Sequence, residues 1–315
     1  MQYIYGTTNI EQTENSIVVL GNFDGVHIGH QKLFELAREK ANQDKLQTIV
    51  FSFYPHPSWI IGKAPKALLM SRKDKQEAIN ELQMDKLIEY PFTKEFAAIP
   101  PERFFLDILM NQLKAKIIII GSNYYFGKGK EGNQEYLYQL GKRYHIAVHV
   151  VDTVKIDGKI VSSSTIRDLI VEGNIETANK MLGHPYSVIG EVVKGKMLGR
   201  TIGFPTINIE TEEDRIYPPK GVYATQVEVY NKTYWGMTNI GYNPTVNGTR
   251  KMIETHLFDF NEQLYSHAVK IRFYSYIRQE QKFSSLQVLT EQIQKDKKQV
   301  LMFFESQGKT ESQGK

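Results

Sequence analysis

Two histidines three residues apart, His27 and His30, close the stretch Gly21-Asn22-Phe23-Asp24-Gly25-Val26-His27-Ile28-Gly29-His30. An apolar run, 17–20, precedes it. A segment with Leu33, Phe34, Leu36 and Ala37 at helical spacing follows. A strand that ends in a Gly-bearing turn and runs into a helix presents free backbone N–H groups and a positive dipole end. Gly25 and Gly29 let the backbone approach a ligand closely, and both imidazoles can face one oxyanion, a phosphate. No Gly-Lys-Ser/Thr follows, so this is not a Walker loop, and it lacks the three glycines of a dinucleotide fingerprint.

Three more stretches carry reactive or ligating side chains. Gly121-Ser122-Asn123-Tyr124-Tyr125-Phe126-Gly127 offers an amide and aromatics between glycines. Ser162-Ser163-Ser164-Thr165-Ile166-Arg167 sits where a helix would start. Its hydroxyls either cap that helix or hold phosphate oxygens, with Arg167 able to pair with phosphate through two nitrogens. The run 190–208 is too rich in Gly and Pro for a plain hairpin. It reads as a loop over phosphates, with Gly195, Lys196, Gly199 and Arg200 near the charge, or as an irregular barrel loop. Glu254 is a carboxylate within an apolar, strand-like run, either functional or merely facing solvent on alternation.

The elements that must position these residues fall into two halves. In the first, apolar strands at 17–20, 48–53, 86–89, 116–120 and 146–151 alternate with helices at 30–42, 73–83, 103–113 and 133–143, closed by a helical passage over 164–182. That alternation predicts a parallel sheet covered on both faces, with ligands beyond the carboxyl ends of the strands. Gly21–His30, Tyr54-Pro55-His56-Pro57 and Gly121–Gly127 each directly follow a predicted strand, so they converge on one edge. Beyond Gly183-His184-Pro185 the period changes to two. Strands at 187–193, 222–230, 232–240, 253–260 and 268–276 predict an antiparallel barrel or sandwich, closed by a helix over 285–304. The expected division is 1–184, 185–304 and a disordered polar tail, 305–315.

With 315 residues the chain is long enough for two cores, and its 41% hydrophobic and 23% charged residues are ordinary for a soluble globular protein. A net charge of +4 suits small anions and does not by itself indicate nucleic acid. The absence of cysteine excludes disulfides, thiolate metal sites and a thiol nucleophile. The first eight residues lack the pattern of a secretory signal, and no apolar run is long enough to span a membrane. The expectation is a cytoplasmic enzyme with no membrane or nucleic-acid partner, a monomer or weak homo-oligomer.

The His-x-Gly-His form resembles nucleotidyltransferases, and the set of motifs resembles the bacterial bifunctional riboflavin kinase/FMN adenylyltransferases. Their first-half patterns are G-x-F-D-G-V-H-x-G-H-Q, intact here through Gln31, F-x-P-H-P, G-x-(D/N)-F-x-F-G and I-S-S-(S/T)-x-I-R. Tyr124 and Val161 depart mildly from them, and Asn123 stands where an acid is common, which alters flavin or metal contacts. In the second half, G-F-P-T-x-N, G-V-Y, N-I-G-x-x-P-T, the strand around Glu254 and the R-x-E-x-K-F segment from Arg278 resemble the riboflavin kinase module. Val246 departs where an aromatic commonly follows Pro-Thr.

The resemblance implies a Rossmann-like nucleotidyltransferase domain with a parallel sheet and a riboflavin-kinase β-barrel with a C-terminal helix. It also implies two reactions. Riboflavin and ATP give FMN; FMN and ATP then give FAD and pyrophosphate. It makes Glu254 the kinase base and Thr206 and Asn208 the Mg²⁺ ligands. His27 and His30 then stabilise charge at the α-phosphorus, with Gly21, Phe23, Asp24, Gly25 and Gly29 shaping that loop. Ser163, Ser164, Thr165 and Arg167 take the triphosphate side; Asn123, Phe126 and Arg278 take the flavin. The alternatives are a chain with only one active half and a flavin-binding regulator.

Overall fold

The computed structural model describes residues 1–62, 66–195, 197–245 and 248–308, with side chains for all of these except 243–245 and 248–250. Lys196, Val246 and the tail beyond 308 lie outside the described residues. The chain divides into two compact units, Met1–Ser163 and Ser164–Lys315.

In the first unit the strands are β1 (Gln2–Tyr5), β2 (Ser16–Leu20), β3 (Gln47–Tyr54), β4 (Lys86–Pro91), β5 (Ala115–Gly121) and β6 (Ala147–Val151). They form one parallel sheet in the order β1-β4-β3-β2-β5-β6. The helices are α1 (Ile28–Asp44), α2 (Pro57–Ile61), α3 (Arg72–Glu81), α4 (Lys94–Ala97), α5 (Pro101–Arg103) and α6 (Gln134–Tyr144), with a π-helix over Phe104–Gln112. Alternate residues of the apolar strands serve opposite faces, so both faces need apolar cover and the strands read as unbroken apolar runs. Ile17, Val19 and Ile117 pack with Leu33, Phe34 and Ile79 of α1 and α3. Val18, Leu20 and Ile118 pack with Phe105, Leu109 and Leu137 of the π-helix and α6.

Three features differ from the sequence reading. The four-residue edge strand β1 is half exposed, so its burial leaves no apolar run to detect. The helix expected at 103–113 winds largely as a π-helix, with the Leu113 N–H donating to the Ile108 carbonyl five residues back at 2.9 Å. Its wider turn buries Phe104, Phe105, Ile108 and Leu109 together. A small hairpin, β7 (Lys155–Ile156) and β8 (Lys159–Ile160), turns through Asp157-Gly158, a dipeptide that signals such turns.

The second unit opens with α7 (Ser163–Glu172) and α8 (Ile175–Leu182), which the sequence reading groups with the first half. They part at Gly173, at φ +81°. Asn179 of α8 donates to the Phe273 carbonyl and accepts from Tyr186 N–H. The strands are β9 (Tyr186–Val193), β10 (Ile207–Glu210), β11 (Gly221–Val229), β12 (Lys232–Thr245), β13 (Gly248–Leu257) and β14 (Ala268–Arg278). They close into an antiparallel barrel in the order β10-β13-β12-β11-β14-β9. The short β10, within the Gly- and Pro-rich run, was not expected; it pairs with both β13 and β9 and closes the barrel.

Ile253, Thr255 and Leu257 point inward, where the Thr225, Thr238 and Thr255 hydroxyls link three strands at 2.8 Å each. Short α9 (Leu198–Thr201) precedes β10. The helix α10 (Leu286–Ser306) lays Val300 and Phe304 over Val222, Ala224, Trp235 and Met237 on the outer face. It takes in Glu305 and Ser306, which the sequence reading gave to the tail.

Candidate functional site

The loop after β2 takes Phe23, Gly25 and Val26 through left-handed conformations, at φ +54°, +87° and +43°. Such backbone persists in Phe and β-branched Val only where its surroundings impose it. Here both side chains are fully buried. Ser52 Oγ donates to the Asn22 carbonyl, Ser163 Oγ to the Asp24 carbonyl and Gln31 Nε2 to the Val26 carbonyl. The Leu69 N–H donates to Asp24 Oδ1 at 2.8 Å. Phe23 and Asp24 therefore build the loop with their side chains.

The loop delivers His27 as the N-cap of α1, its Nδ1 accepting from the His30 N–H at 3.3 Å. The two imidazoles stack, with ring centres 3.6 Å apart and planes 15° from parallel. A Cβ at Gly29 would lie 3.2 Å from the His27 ring, so this glycine makes room for the imidazole. His30 Nδ1 is enclosed without a hydrogen-bond partner. Burial, and then the neighbouring His27, hold the His30 pKa well below the ordinary 6.5. His30 thus presents a neutral imidazole at the loop.

A cleft of about 630 Å³ opens beside this loop at the carboxyl ends of the strands. It brings together Gly21, Phe23, His30, Asn123, Phe126 and Ser163 from the sequence-predicted set. Asp24, Gly25, His27 and Gly29 are not among the residues that line it. Ser164, Thr165 and Arg167 stand on the first turns of α7, in the second unit. The sequence reading missed four rings of the aromatic wall of the cleft: Phe53, Phe92, Phe96 and Phe104. Those rings come from β3, the stretch after β4, α4 and the π-helix, which no local pattern connects.

In the barrel, strand register assembles a second constellation. Asn208 pairs with Glu254, Glu254 with Asn239, Asn239 with Val222 and Val222 with Arg278. Directly paired residues share a face, so one row crosses five strands on the outer side of the barrel. Glu254 is half-buried in this row, between Asn208 and Asn239. Two cavities share the Glu254 wall. One, of about 340 Å³, is lined by Val222, Met237, His256, Phe283, Leu289 and Ile293. The other, of about 270 Å³, is lined by Gly199, Thr206, Asn208, Gly241, Met252 and Glu280. The first is the more apolar and the second the more polar, and both reach Thr206 and Asn239.

Glycines shape the polar side. A Cβ at Gly195 would fall 2.4 Å from Asn208 Nδ2, and one at Gly199 would fall 2.2 Å from the Phe204 carbonyl oxygen. The backbone is thus cut away to seat the Asn208 side chain. Thr206 and Asn208 offer hard oxygens, and among the described residues no group of three His, Cys, Asp or Glu side chains stands together. That donor set fits Mg²⁺, which takes few protein ligands and completes its shell with phosphate and water.

Arg278 lines the apolar cavity, but its nitrogens are engaged. Nε donates to both Asp296 oxygens at 2.8 and 3.0 Å, Nη2 to Asp296 at 2.6 Å and Nη1 to the Gln279 carbonyl at 2.8 Å. It ties the end of β14 to α10. The sequence reading missed Asp296 and the helix as a wall of the site. The signal was present, since Ile293, Asp296, Val300 and Phe304 share one helical face and a lone acid there calls for a partner.

A family model described as FAD synthetase matches residues 9–165, and one described as riboflavin kinase matches 182–304. The chain is 38% identical over 301 residues to a bifunctional riboflavin kinase/FMN adenylyltransferase of Bacillus subtilis, covering 93% of this chain and 94% of that one. It is 35% identical over 309 residues to the protein of that name from Escherichia coli K12, covering 96% and 98%. A crystal structure titled as a macrolide-efflux protein of Streptococcus pneumoniae superposes with a TM-score of 0.86 at 31% identity, covering 95% and 98%. Among the described residues of this chain no helix is long and apolar enough to cross a membrane. The chain belongs to the bifunctional riboflavin kinase/FMN adenylyltransferase family, which uses ATP to make FMN from riboflavin and FAD from FMN.

Proposed function

We propose that residues 1–184 carry the adenylyltransferase and 185–304 the kinase, with the site residues divided between them as follows. In the kinase, the flavin ring occupies the apolar cavity and the ATP phosphates the polar one. Glu254 takes the proton of the terminal ribityl hydroxyl as that oxygen attacks the γ-phosphorus, and the bond to the β-phosphate breaks to release ADP. Thr206 and Asn208 would hold Mg²⁺, which when bound neutralises phosphate charge. The loop from Gly195 through Lys196 to Gly199 covers the phosphates. Arg278 supports the flavin pocket through Asp296. The observation that carries this reading is the Glu254 carboxylate, flanked by Asn208 and Asn239, on the wall common to both cavities.

In the adenylyltransferase the FMN phosphate is already an anion, with a second pKa of about 6, and needs no base. Its oxygen attacks the α-phosphorus of ATP and pyrophosphate leaves. His30, backed by His27, donates to the phosphate oxygens beside the N-terminus of α1, and takes up positive charge as that anion settles. Gly21, Phe23, Asp24, Gly25 and Gly29 hold the loop. Ser163, Ser164, Thr165 and Arg167 bind the triphosphate, and Asn123 and Phe126 the flavin. The mild net charge goes with small anionic substrates rather than nucleic acid, and use of ATP in both steps goes with a cytoplasmic enzyme.

The test is a timed reaction of the purified protein with riboflavin, ATP and Mg²⁺, resolving the flavins by chromatography. FMN should form first and FAD after it. Glu254→Gln should lower FMN formation about 100- to 10,000-fold and leave conversion of added FMN to FAD unchanged. FMN without FAD would mean a silent first unit, with Asn123 the first residue to revert to an acid. Flavin binding with no ATP consumed would overturn the reading in favour of a regulator.

A further inference from the structure

His256 lies two residues beyond Glu254 on the same outer face of β13, opposite Met237. It is 8% exposed, and its ring meets Phe204 edge-on at 5.2 Å and Phe258 at 5.6 Å. Its Nδ1 lies 2.8 Å from the Pro205 carbonyl oxygen. A carbonyl only accepts, so Nδ1 carries the proton and Nε2 is bare in the neutral ring. Burial lowers the His256 pKa, which keeps the ring neutral and this tautomer in place.

The bond reaches the turn that bears Thr206. That turn leaves α9, is tied by the Phe204 N–H to the Gly199 carbonyl at 2.8 Å, and presents Thr206 at the surface before β10 begins. Backbone on an exposed turn is mobile unless anchored. A buried imidazole that grips the preceding carbonyl supplies the anchor from the strand that also carries Glu254.

We propose that His256 is a positioning residue of the kinase: its Nδ1–H fixes the Pro205-Thr206 peptide, so that the Thr206 hydroxyl and the Glu254 carboxylate keep one spacing across the polar cavity. This rests on the reading of Thr206 as a metal ligand.

Two variants separate the hydrogen bond from the packing. His256→Phe keeps a ring and loses the donor; His256→Asn loses the ring and keeps a donor near the Nδ1 position. In the full-length protein, His256→Phe should raise the Mg²⁺ concentration for half-maximal riboflavin phosphorylation about 10- to 100-fold, the usual effect of losing an outer-shell partner. His256→Asn should recover most of that loss, and FAD formation from added FMN should be unchanged in both. Without any ligand, amide hydrogen exchange over 203–207 should quicken in His256→Phe and not in His256→Asn. Nitrogen-15 spectra of the wild type should show a Nδ1-protonated neutral imidazole that vanishes in His256→Asn.

Wild-type Mg²⁺ dependence and exchange in His256→Phe would overturn the proposal. So would equal impairment of the two variants, or an Nε2-protonated His256, which can be read even where a variant does not fold. Thr206→Val run alongside tells the two failures apart. If it leaves the Mg²⁺ dependence unchanged, the metal assignment falls, while exchange and tautomer still decide the tie.

Discussion

His30 and His256 are imidazoles whose pKa values burial depresses, and the sign of that depression fixes how acid acts on the protein. The unfolded chain binds protons on these rings near 6.5, and the folded chain only at lower pH. Their contribution to stability is therefore complete above about 6.5 and declines as the pH falls below it. His30→Gln removes its share of that loss from the first unit. Thermal unfolding followed from pH 7.5 to 5 should show a smaller fall in Tm for the variant than for the wild type. At the active loop, His30→Ala should lower FAD formation from FMN and leave FMN formation from riboflavin untouched. The His-x-Gly-His spacing was legible in the sequence. That the rings stack, and that Gly29 exists to admit one of them, was not, because a ring–ring contact depends on the left-handed path of Phe23, Gly25 and Val26.

The C-terminal helix is more than a cover for the barrel. Its Asp296, 1% exposed, meets Arg278 at the end of β14, and its Phe304 stacks on Trp235 with ring centres 3.7 Å apart. Removing one partner of such a pair strands a buried charge, a loss of about 3–5 kcal/mol. Asp296→Ala should destabilise the barrel by that amount in urea unfolding. The double variant Asp296→Leu with Arg278→Met should regain most of it. The chain has two tryptophans, Trp59 in the first unit and Trp235 in the second, so Trp59→Phe leaves fluorescence reporting on the barrel alone.

The short α9 makes a sharper case. A Cβ at Gly199 has no room against the Phe204 carbonyl oxygen, so Gly199→Ala must displace the turn that leads to Thr206. A shift of about 1 Å is worth about 100-fold in rate. The kinase should lose that much while FAD formation from FMN is retained. Neither α9 nor β10 was visible as an element, since four-residue elements in a Gly- and Pro-rich run have no period to read.

At the scale of the whole molecule, the chain has two units with separate cores, and FMN is the product of one reaction of the family and the substrate of the other. Glu254→Gln and His30→Ala proteins should each fail to convert riboflavin to FAD. Mixed together with ATP and Mg²⁺ they should make FAD, because FMN released by one is substrate for the other. Failure of the mixture, with each remaining half-reaction active, would show that FMN does not pass through solution.

The sequence by itself determined the parallel and antiparallel halves and supplied the candidate site residues. Strand periodicity and the order of glycines, histidines and hydroxyls are local properties, written in consecutive residues. Periodicity left barrel and sandwich open and the family resemblance implied a barrel; only the tertiary structure showed the closure, through β10 pairing with both β9 and β13. It alone set Asn208, Glu254, Asn239 and Arg278 on one row, since register between strands depends on how side chains pack across the whole barrel. It alone turned Arg278 toward Asp296, because a buried guanidinium takes the carboxylate that the fold brings within reach.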